Sequence, residues 1–474
     1  MSTSTLTRRQ VLKGGAAGMA TLVIGSQLDW VFENKAFAAV QTQTINFHIT
    51  DALKDMHTHN AINAAQCYYW IFKDDRFPAE CPGPTIVATQ GDNINLTITN
   101  DLDEPHSMFI QGMFNSRPIA PGQTVTKRFR AGRPGTYLYF DNLNAPVNRV
   151  MGLHGCLIVM PRARRINPRR RPTPYSAPGA AIQRMYNEFG NSPHWPGLAW
   201  DQGDVATGTP PFRQYVWLCH ESSPNLHQEV GSLAPGVEMP AAEFVNRWVN
   251  DPFSPVRANA KPQYFTINGQ SGHFSHNNST ITPMNRVGEP SLVRVLNAGL
   301  MTHSMHIHAN HVYVTSVNGR VQTNPLWVDT FTLNPMDTFD YTVPFMRPPD
   351  IPNARGLGQP DAGQPTLAGG STYPPLEELD VFMPPVGTTA GVFDIAERQS
   401  PLCYPMHDHS EPSQTSQGGN YNTGLISGIY FIGDRNTPGQ MNFPLEPDFA
   451  MMLEGGVGTQ ATSAAAGPEV MPPV

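Results

Sequence analysis

The sequence predicts an all-β protein with two β-sandwich domains, and three observations support this. Glycine and proline, which interrupt strands at turns and are costly inside helices, number 41 and 46 of 474 residues. Short segments of alternating apolar and polar residues recur between turn residues, whereas no long heptad pattern is visible. A set of turn, strand and histidine features occurs twice along the chain, which indicates a duplicated unit.

The first domain is predicted over residues 41–162. Residues 94–100 read INLTITN, an alternation of apolar and polar side chains that is typical of a half-buried strand. The other strands predicted in this domain cover residues 44–49, 124–129, 134–139 and 155–160.

The second domain is predicted over residues 212–435. Its predicted strands cover residues 214–218, 264–269, 288–297, 311–317, 329–333, 338–343 and 425–432. A Pro- and Gly-rich insertion at about 346–390 lacks periodicity, and such long loops are usually functional or mobile. Residues 163–211, rich in Pro, Arg and Ser, are predicted to be a surface linker, and residues 436–474 form a C-terminal tail.

The duplication is visible in three matched positions of the two domains. Each domain has a turn glycine before a strand, an asparagine at the end of that strand and a histidine soon after it. The matched pairs are Gly91 and Gly288, Asn100 and Asn297, and His106 and His303.

The N-terminal residues 1–38 resemble a twin-arginine export signal. Residues 7–13 read TRRQVLK, an apolar Gly- and Ala-rich stretch follows to residue 25, and AFA at 36–38 offers a cleavage site. The apolar stretch is too short to span a membrane well, and no other segment is suited to it. We therefore expect no membrane span and a location in the bacterial periplasm or outside the cell.

Charge and cysteine content narrow the classes of partner and the redox state. The net charge is -7 with no sustained basic face, which argues against a nucleic-acid partner. Five cysteines in an oxidising compartment can form disulfides, and Cys67 with Cys81 is the pair we expect to be bridged. The odd count leaves at least one thiol free or bound.

Two short histidine motifs indicate a metal site. The segment HSMHIH at 303–308 follows a predicted strand, and the segment PMHDH at 405–409 repeats the His-x-His spacing. Side chains two residues apart in a strand share a face, so His306 pairs with His308 and His407 with His409. If the two segments lie on neighbouring strands, four imidazoles meet. Imidazole suits copper, zinc, iron and nickel, so this ligand set does not choose the metal.

Several segments resemble the multicopper oxidases. They are PGPTIVATQGDNINLTITNDL at 82–102, GTYLYFDN at 135–142, GLHGCLIV at 152–159, YFTING at 264–269 and HSMHIHANHVYV at 303–314. The resemblance is closest to two-domain members, and it implies copper and two cupredoxin-like Greek-key β-sandwiches. It also implies a role for each histidine: His303 at a type 1 copper position, His306 and His308 at type 2 and type 3 positions, and His407 and His409 at type 3 positions.

The chain departs from the family pattern at several ligand positions. Asp408 stands where the family has the cysteine of the type 1 centre, and Ser413 stands where it has a later histidine. In the first domain His106 is the one histidine that remains of the four expected there, with Met108 and Asp141 as substitutes. The sequence therefore predicts a reduced copper site, mononuclear or dinuclear, without a normal type 1 centre.

Three functions follow from this resemblance. The first is a copper-dependent oxidoreductase that receives electrons directly from a small-molecule or metal-ion donor, with Asp408 and Glu411 as catalytic acids in proton transfer or ligand positioning. The second is a non-catalytic periplasmic copper-binding protein for storage, delivery or resistance, in which Met301, Met305, Met336 and Met406 would suit Cu(I). The third is a structural relic that acts through a partner. Two-domain relatives form trimers with metal sites between subunits, so a homotrimer is expected.

Overall fold

The computed structural model describes residues 23–24, 40–56, 65–162, 173–189, 214–249, 264–346, 402–410, 413 and 424–433. The insertion at about 346–390, apart from residue 346, the tail at 436–474 and the export signal, apart from residues 23–24, lie outside this part of the chain. Among the described residues no helix is long and apolar enough to cross a bilayer.

The first domain is a sandwich of a six-stranded and a four-stranded sheet. Its strands are β1 Val23–Ile24, β2 Thr42–Met56, β3 Ala65–Lys73, β4 Gly83–Thr89, β5 Asn93–Asn100, β6 Phe109–Ile110, β7 Phe114–Asn115, β8 Thr124–Arg130, β9 Gly135–Phe140 and β10 His154–Met160. One sheet has the order β1-β4-β10-β9-β6-β7 and the other β3-β2-β5-β8. On β5 the apolar residues Ile94, Leu96 and Ile98 are fully buried, as the alternation predicts.

The second domain pairs a six-stranded with a five-stranded sheet. Its strands are β11 Gln214–Ser222, β12 Tyr264–Ile267, β13 Met284–Asn285, β14 Ser291–Asn297, β15 His303–Ile307, β16 Val312–Val317, β17 Arg320–Val328, β18 Thr330–Leu333, β19 Thr338–Val343, β20 Cys403–Asp408 and β21 Ile426–Phe431. The sheet orders are β12-β11-β14-β19-β16-β17 and β13-β21-β20-β15-β18. The predicted all-β class is confirmed.

Equivalent strands of the two domains have equivalent neighbours, as a duplicated unit requires. β5 runs parallel to β2 and antiparallel to β8, and β14 runs parallel to β11 and antiparallel to β19. The side-chain nitrogen Nδ2 of Asn100 donates to the carbonyl of Glu104 (2.7 Å). Nδ2 of Asn297 donates in the same way to the carbonyl of Met301 (2.7 Å). These side chains fix the same loop in both domains, immediately before the histidine-bearing segment.

Five short helices within the described ranges were not predicted from the sequence. They are α1 Val147–Val150, α2 Ala180–Phe189, α3 Pro224–Gly231, α4 Ala241–Val249 and α5 Gly272–His276. Helix α3 begins at Pro224. Ser223 caps its N-terminus, because the Ser223 side chain accepts a hydrogen bond from the Leu226 amide. Residues of α3 and α4, including Leu226 and Trp248, pack into the core of the first domain. A segment that follows a strand of the second domain therefore covers the first.

The predicted linker contains ordered structure. Within residues 173–189, Ile182, Met185 and Tyr186 of α2 are buried against Tyr313 of β16. The apolar residues of this helix lie in a segment rich in Pro, Arg and Ser. The composition of that segment therefore predicted a linker.

A buried polar network joins the two domains. Arg294 of β14 donates to Asp340 of β19 at 3.0 Å, and both side chains are almost fully buried. The hydroxyl of Thr136, on β9 of the first domain, donates to the other oxygen of Asp340 at 2.5 Å. The carboxylate therefore holds a cation and a group from the facing domain at once.

Asp340→Ala is expected to lower the free energy of unfolding by about 3–5 kcal/mol, because it leaves the Arg294 guanidinium buried without an anion. Urea denaturation measures this loss. The control Asp75→Ala removes a carboxylate with 69% of its side chain exposed, and it should cost less than about 1 kcal/mol. Equal losses in the two variants would contradict the structural role of Asp340.

Candidate metal centre

The two histidine motifs meet on neighbouring strands. β15 pairs antiparallel with β20, and the register places His306 opposite His407. Their ring centroids are 5.5 Å apart. The predicted convergence of residues 306–308 with 407–409 is confirmed.

The four rings form one compact group, which we call the four-imidazole cluster. Ring centroids are 4.8 Å apart for His306 and His308, 4.8 Å for His306 and His409, 4.9 Å for His407 and His409, and 5.1 Å for His308 and His407. One ring nitrogen each of His306, His407 and His409 lies within 4.8 Å of the others.

One nitrogen pair already has the spacing of two ligands on a single ion. Nε2 of His308 lies 3.0 Å from Nε2 of His407. Two imidazole nitrogens that bind one ion at about 2.0–2.1 Å and at a right angle are about 2.9 Å apart. The residues therefore fit a metal ion.

Neighbouring carbonyls orient two of the rings. Nδ1 of His306 lies 3.1 Å from the carbonyl oxygen of Asp329, and Nδ1 of His407 lies 3.1 Å from that of Asp408. A carbonyl oxygen only accepts, so each Nδ1 carries the proton and Nε2 is the ligand atom. Partial burial, and then repulsion by the other rings, lowers the pKa of His308. A lowered pKa favours the neutral, metal-binding form.

The cluster is accessible from one side. His407 is nearly buried with 8% exposure, whereas His308 and His409 are exposed. A small molecule in solution can therefore reach the cluster from that side.

His303 and Asp408 lie on the other face of the same strands and do not join the cluster. Nδ1 of His303 is 2.6 Å from Asp408, and Nε2 is 2.6 Å from Glu221. All three side chains are fully buried. Both ring nitrogens of His303 are thus occupied by carboxylates, which contradicts its predicted role as a copper ligand.

The charges of this group explain its stability. Burial opposes the charged form of His303, but hydrogen bonds to Asp408 and Glu221 outweigh it and raise the pKa to about 10. Asp408 also accepts from the amides of Ser304 (2.5 Å) and Ser410 (3.0 Å) and from the Ser413 hydroxyl. It is therefore a positioning group for β15 and β20. Its carboxylate points away from the four-imidazole cluster, and the predicted catalytic role is not supported by this geometry.

Glu221 was not found by sequence reasoning. It lies on β11, and its second oxygen accepts from the amide of Leu300 at 2.8 Å. A Cβ atom added to Gly299 would lie 2.0 Å from this carboxylate, so glycine is needed at the close approach. A lone acid 82 residues before His303 gave no signal of this contact.

His106 repeats the arrangement of His303 in the first domain. Its Nδ1 lies 2.7 Å from Asp141, and both side chains are fully buried. The register pairs Phe109 with Phe140, the equivalents of His306 and His407, and these rings are 5.5 Å apart. His106 is therefore paired with an acid and is not brought to the four-imidazole cluster, and phenylalanines fill the positions where imidazoles would stand.

Other residues singled out from the sequence lie elsewhere. Met305 and Met406 are buried in the core of the second domain, and Met301 and Met336 pack against that core. Glu411 lies outside the described residues. Cys67 and Cys81 are not joined by a disulfide, so the predicted bridge is wrong.

A second group of side chains that could hold a metal ion is present, and no sequence motif indicated it. Cys81, His154 and His220 are buried, and one ligand atom of each lies within 4.8 Å of the others. They are separated by more than 60 residues in sequence, so only the fold brings them together.

Parts of the chain are similar in sequence to known copper proteins. Residues 77–164 match the family model described as multicopper oxidase. The copper-containing nitrite reductase of Pseudomonas chlororaphis is 35% identical over 96 residues, which cover 18% of this chain and 26% of that protein. Laccase-24 of Oryza sativa subsp. japonica is 24% identical over 316 residues, 62% of this chain and 41% of that protein. The matches thus span less than half the length of either relative.

One solved structure supports the fold over most of the chain. The blue copper oxidase from Nitrosomonas europaea superposes with a TM-score of 0.50 and 16% identity, covering 86% of this chain and 93% of that one. The cupredoxin-like β-sandwich architecture of both domains is confirmed.

Proposed function

We propose that the chain is a member of the multicopper oxidase family, whose model matches residues 77–164, and that it is a copper-dependent oxidoreductase that lacks a type 1 centre. The observation that carries the proposal is the four-imidazole cluster on β15 and β20. Its ligands would be His306, His308, His407 and His409. Copper bound there supplies one-electron redox chemistry.

The residues around the cluster determine how it is used. The carbonyls of Asp329 and Asp408 hold the rings of His306 and His407 with Nε2 directed inward. Thr330 adds a second contact to Nδ1 of His306 at 3.0 Å. The ligands are therefore oriented before an ion binds, which reduces the cost of binding.

The electron path differs from that implied by the family pattern. A thiolate at the position of Asp408 would link a type 1 copper to the cluster, but a carboxylate bonded to His303 occupies it. We propose that a small-molecule or metal-ion donor delivers electrons at the exposed side, beside His308 and His409.

Loaded with copper, the protein is expected to consume oxygen with phenolic or metal-ion donors, and its Cu(II) should give an electron paramagnetic resonance spectrum with nitrogen splittings. An oxygen electrode and the spectrum are the measurements. Copper binding without turnover by several donor classes would favour the storage or delivery function instead. Met305 and Met406 are buried in the core and Met301 and Met336 pack against it, which argues against that alternative.

Export and assembly remain part of the proposal. We propose twin-arginine export to the periplasm and assembly as a homotrimer. Fractionation of cells that carry Arg8→Lys and Arg9→Lys, and sedimentation of the purified protein, test these two statements separately.

A further inference from the structure

Three buried side chains from separate segments meet where the two domains join. Cys81 precedes β4, His154 begins β10, and His220 lies on β11 of the second domain. Sγ of Cys81 is 3.9 Å from Nε2 of His154, and the two imidazole rings are 4.5 Å apart. None of the three belongs to the four-imidazole cluster or to the His-x-His motifs.

Backbone carbonyls fix both rings as neutral ligands. Nδ1 of His154 is 2.8 Å from the carbonyl of Arg149, so that nitrogen carries the proton and Nε2 presents its lone pair to Cys81. Nε2 of His220 is 2.8 Å from the carbonyl of Val150, which leaves Nδ1 as the acceptor; it lies 3.4 Å from the Ser222 hydroxyl, which a metal ion would replace as its partner. Proteins orient metal-binding histidines in this way.

The backbone approaches these three side chains closely at Gly152, and a further imidazole, that of His227, lies nearby. A Cβ atom on Gly152, where φ is +121°, would lie 2.5 Å from the carbonyl of Trp70 and 3.2 Å from Sγ of Cys81. Beside His220, at 6.4 Å between ring centroids, the buried ring of His227 has an Nε2 with no hydrogen-bond partner among the described residues. A buried nitrogen without a hydrogen bond is energetically costly. The lone pair of this nitrogen lies near the three proposed ligands.

From this juxtaposition we propose that Cys81, His154 and His220 bind one Cu(I) ion, which joins the two domains. Thiolate and imidazole donors suit Cu(I), and the 3.9 Å Sγ to Nε2 separation is close to the roughly 3.7 Å of a three-coordinate site. One thiolate neutralises one Cu(I), whereas a divalent ion would leave a net positive charge in a buried site. Binding replaces the Cys81 thiol proton, which passes to solvent, and no electron is transferred.

Chelator resistance distinguishes this site from the exposed cluster. Protein from copper-supplemented cells is dialysed against a copper chelator, and retained copper is measured by mass spectrometry and by electron paramagnetic resonance. We expect about one retained, spectroscopically silent copper per chain, and X-ray absorption should show one sulfur and two nitrogen neighbours. Retention should also raise the melting temperature by several degrees, because the ion binds only the folded state.

Cys81→Ser is expected to lower the retained copper at least tenfold, whereas Cys156→Ser, which alters another buried thiol, should leave it unchanged. The double variant His306→Ala/His407→Ala should also retain it, which separates this inference from the proposed function. Wild-type protein without retained copper, a copper without a sulfur neighbour, zinc in its place, or a Cys67–Cys81 disulfide would each overturn the proposal.

Discussion

His407→Ala is expected to weaken copper binding at the four-imidazole cluster by about 100-fold or more. His407 is one of the two residues of the closest nitrogen pair, because its Nε2 lies 3.0 Å from Nε2 of His308, and its ring is within 5.5 Å of the other three ring centroids. Removing it leaves three imidazoles and eliminates the closest pair of ring nitrogens. Oxygen consumption in the copper-loaded protein should fall to background, and isothermal titration with Cu(II) measures the loss of affinity.

The matched control is His311→Ala. His311 follows the first motif by three residues, but its ring stacks on Trp327 with centroids 5.0 Å apart and is not part of the cluster. The affinity of the His311→Ala variant for Cu(II) should stay within about twofold of that of the unaltered protein. If His407→Ala and His311→Ala bind copper equally well, the cluster is not the copper site.

His303→Gln is expected to destabilise the metal-free protein by about 3–5 kcal/mol, because Asp408 and Glu221 lose the buried cation between them. Guanidinium denaturation in the presence of a chelator measures the effect without a contribution from bound metal. The control His48→Gln removes an exposed ion pair with Asp101, for which less than about 1 kcal/mol is expected.

The destabilisation should depend on pH in a defined direction. The pKa of His303 is about 10 in the folded protein and about 6.5 in the unfolded chain, so folding favours the protonated ring. The stabilisation is complete below pH 6.5 and is lost as the pH rises through 10. The difference between the unaltered protein and His303→Gln should therefore be largest near pH 6 and shrink towards pH 10. A difference that grows over this range would show that His303 is not held as a cation.

The pairing of His303 with Asp408 explains why one histidine of the first motif lies outside the four-imidazole cluster. His303 and His306 are three residues apart on β15, so the strand presents them to opposite faces. On β20, Asp408 and His407 separate in the same way. The two outward-facing His-x-His pairs meet at the surface, while the inward-facing pair becomes a buried salt bridge.

The sequence by itself determined many of the strands, the duplication and the pairing of imidazoles within each His-x-His motif. Period-two alternation placed Ile94, Leu96 and Ile98 inside, and the His-x-His spacing placed each pair of imidazoles on one side. These are local properties of a strand, which neighbouring residues encode directly. The proposed metal at those imidazoles rests on the same local signal.

Only the tertiary structure decided the partners of the buried groups. Glu221 reaches His303 across 82 residues, and Cys81 meets His154 across 73, with no pattern in the sequence between them. Such contacts depend on sheet order and on the junction of two domains, which is set by the packing of many side chains at once. The fate of His303 as half of an ion pair, and the assembly of a thiol with two imidazoles at the domain junction, were therefore fixed by the fold and not by any local motif.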